Sequence, residues 1–241
     1  MLYNDNAIVI RTYKYSEADR IAVFLTENHG KVRAIAKGVR KTTSKLGGRV
    51  EPGSHSAIQF FEGKSDLHKV TQVDVIDTFS NIRVDYDRLT RVATILEVAE
   101  QLAQDHEPNE PLYRMVLGAL RSLNDRDAPL LVAGFLFKAL ALEGFGPEVD
   151  VCVACGADPA TDSNVQLTSF DVMGGATCRT CRQGAAISAD ALRVIRLILG
   201  RQLGAALREM ESPTTHEVEA IAHRCVEAHL ERRLRSTQMT R

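Results

Sequence analysis

Two cysteine pairs, Cys152-Val-Ala-Cys155 and Cys178-Arg-Thr-Cys181, constrain what this 241-residue chain can fold into more than any other feature. A two-residue spacer lets both thiolates of a pair bite one ion, and a second pair completes a tetrahedron. The chain between the pairs must therefore turn back on itself. Residues 166–170 and Gly174-Gly175 suit a small hairpin there, and Gly156 relieves the tight turn after the first pair. Four thiolates leave no position open for water, so the expectation is one structural zinc per chain, held by Cys152, Cys155, Cys178 and Cys181. Arg179 and Arg182 stand beside ligands that carry excess negative charge. Matched pairs fit a metal better than a redox centre. The fifth cysteine, Cys225, lies on an apolar helix face and reads as core, with His223 and His229 as ordinary helix residues. Cysteines arranged for metal rather than for disulfides place the protein in the cytoplasm.

A second feature is a charge gap. Residues 31–49 hold seven Lys or Arg and no acid: Lys31, Arg33, Lys37, Arg40, Lys41, Lys45 and Arg49. The first half alternates, with Val32, Ala34 and Ala36 opposite Lys31, Arg33 and Lys37, which is the pattern of a half-buried strand with a charged outer face. Beyond Gly38 it dissolves into Thr, Ser and Gly, a basic loop. These seven residues are candidate phosphate contacts; the competing reading is a solvated edge that discourages aggregation. Net charge, −1, does not decide between them, because the polarity is local. Residues 1–80 carry 12 basic and 9 acidic groups, 81–150 carry 7 and 12, and 151–241 carry 11 and 10.

Hydrophobic periodicity divides the chain. Strands are predicted at 7–11, 21–26, 31–36, 54–61 and 67–79, with a hairpin turn at Glu27-Asn-His-Gly30. Five strands with short turns suit a small barrel of the oligonucleotide-binding (OB) type, with an SH3-like barrel left open. After Phe79 the period becomes helical. Leu89, Val92, Leu96, Ala99 and Ala103 form one stripe, and Leu112, Val116, Ala119 and Leu123 another. Pro129 suits a first helical position, and the apolar segment 130–142 suits the middle of a bundle. The most apolar stretch, Ala128 to Phe137, is stopped by Lys138 and then Glu143 and is too short to span a bilayer. Helix resumes at Ser188, and the box Thr214-x-x-Glu217 is expected to start the last helix. Arg232, Arg233 and Arg235 would then complement its negative end. The expected fold is α+β: an OB-type barrel over 1–80, a helical bundle over 81–148 and 185–241, and an inserted four-cysteine zinc module over 149–184.

Catalytic signatures fail on inspection. Gly63-Lys64-Ser65 ends like a phosphate-binding loop, but Ile58 stands where the upstream glycine is required. Lys64-Ser-Asp-Leu67 lacks the glycine of a ligase-type lysine motif. No Ser/His/Asp order and no acidic cluster for magnesium is present, and Asp85 and Asp87 read as helix-start residues. No enzyme is expected.

Six segments stand in order along the chain: Ala7-Ile-Val-Ile-Arg-Thr12, Ser16-Glu-Ala-Asp-Arg20, Leu25-Thr-Glu-Asn-His-Gly-Lys-Val32, Lys37-Gly-Val-Arg40, Leu142-Glu-Gly-Phe-Gly-Pro147 and Cys152-Val-Ala-Cys-Gly156. Through them the chain resembles the RecO family of recombination mediators. The resemblance implies an N-terminal OB barrel, a helical bundle and an inserted zinc module. It also implies binding of single- and double-stranded DNA, annealing of complementary strands, and help in loading a recombinase in recombinational repair. Implied partners are RecR and the tail of single-strand-binding protein, in a cytoplasmic, nucleoid-associated setting without membrane. Some members lack the four cysteines; this chain has all of them, so its module should depend on metal. Tyr13, Tyr15, Phe60 and Phe61 are candidates for stacking on bases, with barrel packing the stronger reading for Phe60 and Phe61. The rival from another class is a zinc-containing interaction scaffold whose basic loop binds acidic protein tails.

Overall fold

Alternating apolar and polar residues in the first third of the chain produce five strands: β1 Leu2–Lys14, β2 Arg20–Thr26, β3 Lys31–Ala36, β4 His55–Phe61 and β5 Leu67–Asp77. The structure is a computed structural model that describes residues 1–39, 47–126 and 128–236. Strand order is β1-β2-β3-β5-β4, closed back onto β1. Neighbours pair antiparallel except β3 with β5, which run parallel from Arg33↔Leu67 to Ile35↔Lys69. That order and that single parallel pair are the OB arrangement. β1 begins earlier than its apolar run, because Tyr3 through Asn6 pair with β4 although they are polar.

Inward residues of all five strands fill the barrel. Phe24 and Phe60 are fully buried and meet edge to face, with centroids 5.3 Å apart. Each such burial is worth about 1.5–3 kcal/mol. The β2–β3 turn needs Gly30. Its φ is +66°, and a Cβ there would stand 2.2 Å from the Glu107 carbonyl oxygen. Asp5 fixes the same turn, accepting from the Asn28 backbone and side chain and pairing with His29 at 2.6 Å.

The chain divides into two compact units, Met1–Arg126 with Leu234–Arg241, and Asp127–Arg233. In the first, the barrel is joined by α1 Ser80–Arg83, α2 Tyr86–Leu102 and α3 Glu110–Asp125. Asp85 caps α2 by accepting from Asp87 and Arg88 backbone N–H groups, and Asn109 caps α3. α2 packs on β1 through a stripe in which Val92, Leu96, Ala99 and Ala103 are buried, but Leu89 is 43% exposed and does not join it.

The second unit holds α4 Leu131–Leu142, a three-stranded sheet of β6 Leu167–Asp171, β7 Gly175–Cys178 and β8 Ala185–Ala186, then α5 Ala189–Leu199, α6 Leu203–Ala206 and α7 Pro213–His229. α4 is buried almost all round, as its composition requires. It starts at Leu131, so Pro129 precedes it rather than opening it. α7 is capped by Ser212 in a box with Thr215, with Pro213 at the first turn; the Thr214/Glu217 box does not form. Glu217 instead accepts from the Ser188 backbone at 2.9 Å and hydroxyl at 2.6 Å, at the head of α5. α7 ends at His229, so Arg232, Arg233 and Arg235 follow its last turn rather than lying in it; the Arg232 backbone N–H donates to the Glu227 carbonyl at 3.1 Å.

Candidate nucleic-acid interface and metal centre

On the barrel, the seven expected phosphate contacts have unequal fates. Lys31 is taken up by its own unit. Its Nζ donates to the carbonyls of Ala103 at 2.7 Å and Glu100 at 3.3 Å, and stands 3.5 Å from Asp105. An ammonium on the orphan carbonyls of a helix end satisfies them and complements the dipole, so Lys31 locks α2 to β3. Lys138 does the same for α5, donating to Leu199 and Gly200. Arg33 is exposed but shares Asp105, at 3.5 Å. Arg49 donates to the Val73 carbonyl at 3.2 Å. Lys37, just past β3, is exposed and has no ion pair among the described residues. Arg40, Lys41 and Lys45 lie outside the described residues.

The outer face beside these cations carries further chemistry. Arg11 pairs with Glu100 at 2.8 Å, and the Tyr13 hydroxyl donates to the same carboxylate at 3.2 Å. The Glu100 hydrogen bond holds the Arg11 guanidinium protonated more firmly than usual. Of the aromatic candidates, Phe60 is core, whereas Tyr13, Tyr15 and Phe61 are 41%, 55% and 39% exposed. Lys69 stands 5.7 Å from the Phe61 ring centroid. Its signal in the sequence was a lone cation in an alternating strand, and its place beside Phe61 follows only from the register of β5 with β4.

In the second unit the four cysteines converge. The ligand atoms of Cys152, Cys155, Cys178 and Cys181 all lie within 4.8 Å of one another. Two turns aim them: Gly156 takes φ +72° and donates to the Cys152 carbonyl at 2.7 Å, and Arg182 takes φ +44° and donates to the Cys178 carbonyl at 2.9 Å. β7 delivers Cys178, whose N–H donates to the Cys152 sulfur at 3.2 Å. Gly175 permits this strand to run beside Glu148, since a Cβ there would stand 2.0 Å from the Glu148 carbonyl oxygen.

The electrostatics of the cluster fit a cation. Burial raises the Cys152 thiol, yet N–H donors from Cys178, Cys155 and Ala154 outweigh it and hold the group at about 6. Cys181, facing the sulfurs of Cys155 and Cys178, is pushed up to about 12. Thiols this close cannot all ionise by themselves; a divalent cation supplies the missing charge. The cluster is therefore compatible with a structural metal. Cys225 is apart from it, buried on α7 and pushed up to about 12 by burial, an inert thiol.

A closed five-stranded barrel of OB order, followed by helices and a four-sulfur cluster, defines an OB-barrel protein with a four-cysteine module compatible with a structural metal. The comparisons make the assignment specific: the chain belongs to the RecO family of DNA repair proteins. Residues 1–79 match the family model for the N-terminal part of recombination protein O, and residues 83–238 match that for its C-terminal part. The chain is 37% identical over 241 residues to DNA repair protein RecO of Frankia casuarinae, covering 98% of this chain and 96% of that protein. It is 39% identical over 186 residues to DNA repair protein RecO of a Nocardioides species, covering 76% and 75%. No helix among the described residues is long and apolar enough to cross a membrane.

Proposed function

We propose that this chain is a non-enzymatic recombination mediator that binds single- and double-stranded DNA, anneals complementary strands and helps load a recombinase. One observation carries the reading: an OB-type barrel in a DNA repair family bears, directly after β3, a basic segment without a single acid. Annealing requires two anionic strands to be held close together. A cationic surface lowers their repulsion without reading bases, and each phosphate it engages releases counterions. Lys37, Arg40, Lys41 and Lys45 form the phosphate-binding group, with Arg33 and Arg49 at its margins. Lys31 serves the fold instead. RecR and the tail of single-strand-binding protein are the partners that family membership suggests.

The cysteine quartet would hold one Zn²⁺ per chain, whose role is to cross-link the turns at Gly156 and Arg182. The functional divisions proposed are the barrel (1–80), helical sections (81–148 and 185–241) and the zinc module (149–184). One feature favours the scaffold reading: β3 already grips a carboxylate, Asp105, through Lys31 and Arg33. A fluorescence annealing assay on the wild type and on Lys37→Glu/Arg40→Glu/Lys41→Glu separates the two. Loss of annealing in the variant supports the mediator; undiminished annealing, with lost binding of an acidic peptide, supports the scaffold.

A further inference from the structure

Cross-strand register assembles an exterior row around the barrel. Tyr13 on β1 is the Cα partner of Ile21 on β2, Ile21 of Ile35 on β3, and Ile35 of Lys69 on β5. Lys69 in turn partners Phe61 on β4, and Phe61 partners Leu2 back on β1. Direct partners share a face of the sheet. Exposure agrees: Tyr13, Lys69, Phe61 and Leu2 are exposed, and the two isoleucines between them are half-buried. Their chain neighbours Ala22, Ala34, Phe60 and Val70 are the ones that fill the core.

Each aromatic along this row carries a cation. Lys69 stands over Phe61, and the Arg11 guanidinium lies 4.7 Å from the Tyr13 centroid. The two rings are four strand steps apart, roughly 19 Å along the wall at about 4.8 Å per step. Acids are unevenly placed: Glu100 takes the Tyr13 hydroxyl and Arg11, while Glu62 and Asp66 sit in the β4–β5 loop with Lys64. Rings with nearby cations match the two parts of a single strand, flat bases on an anionic backbone. An apolar peptide would match the isoleucines but has no use for Lys69.

We propose that this row is the base-stacking track of the barrel. Single-stranded nucleic acid lays bases on Phe61 and Tyr13 across the Ile21–Ile35 saddle, and Lys69 meets the backbone. The assignment rests on the DNA-binding reading above and deepens it, giving bases to the row and phosphates to the basic segment.

The chain contains no tryptophan, so Phe61→Trp places a single indole on the row. Oligo(dT) of about 30 nucleotides, longer than one barrel covers, should quench its emission. Phe61→Ala should weaken single-strand binding about tenfold, the loss of one stacked base, and leave duplex binding unchanged because paired bases cannot stack on protein. Tyr13→Ala should do the same more weakly. Thermal melting checks that both variants fold. No quenching together with unchanged single-strand affinity overturns the row. Equal losses for single strand and duplex also overturn it, since that is structural damage. So does an indole that responds to an acidic peptide and not to the oligonucleotide. The charge-reversed variant judges the basic segment independently: its failure to weaken binding, beside a tenfold effect of Phe61→Ala, would leave the row standing without the segment.

Discussion

The cysteine quartet and the basic strand were both plain in the sequence, and the fold treats them differently. The quartet's meaning is local. Two-residue spacers and the turns at Gly156 and Arg182 force each pair to converge, and one hairpin brings the pairs together. The strand's meaning depends on what arrives from elsewhere. The end of α2, about seventy residues away in sequence, presents the carbonyls and Asp105 that take up Lys31 and half of Arg33. Ligand spacing is a statement about geometry; charge spacing is a statement about supply, and the nearest acceptor claims it first.

The sharpest break of this contrast is removal of two of the four sulfurs. Cys155→Ser/Cys178→Ser should abolish the zinc proposed for the quartet, measured by elemental analysis, from one per chain to none, and with it the ordered module. In the wild type, chelation should free four reactive thiols, and only denaturation the fifth, Cys225. Five reactive thiols without denaturation would contradict the burial of Cys225. Next in size is the barrel core: Phe60→Ala should cost about 3–5 kcal/mol of unfolding free energy by denaturant titration, whereas Phe61→Ala on the same strand stays near zero.

The smaller effects test Lys31 directly. Lys31→Ala should destabilise by about 1–3 kcal/mol, since it strands the carbonyls at the end of α2. Lys37→Ala should stay within about 0.5 kcal/mol and act on DNA affinity alone. Equal stability losses, or a larger DNA defect for Lys31→Ala than for Lys37→Ala, would erase the distinction between them.

Acid should weaken the fold gradually. Burial holds His55, His68 and His223 below the ordinary value of 6.5. His55 shows why: its Nε2 meets the Tyr113 hydroxyl at 2.8 Å, while its buried Nδ1 has no partner among the described residues. Below 6.5 the unfolded chain carries more protons at these histidines than the folded one, so the stability they contribute is lost as pH drops from there. The Tm difference between the wild type and His55→Gln should stay constant from pH 8 to 6.5 and shift against the wild type below that.

Much of the fold was legible because periodicity is local. The five strands, the cap at Ser188 and the buried α4 follow from their own residues. What was not legible required knowledge of partners. Ser212, rather than Thr214, caps α7 because Pro213 suits the first turn and Thr215 reciprocates; Glu217 is drawn to Ser188 on another helix. Leu89 has the spacing of the α2 stripe but stays 43% exposed in the first turn of the helix. Within the candidate interface, Phe60 and Phe61 differ only by strand parity, and that parity was fixed by the register with β5.

The most direct test of the central claim is the salt dependence of single-strand binding. For the wild type and Lys37→Glu/Arg40→Glu/Lys41→Glu, the logarithm of the affinity is measured against the logarithm of salt concentration. Loss of three phosphate contacts should make the slope shallower by about 2, at about 0.7 per contact, with weaker binding at moderate salt. An unchanged slope and affinity would show that DNA is held elsewhere.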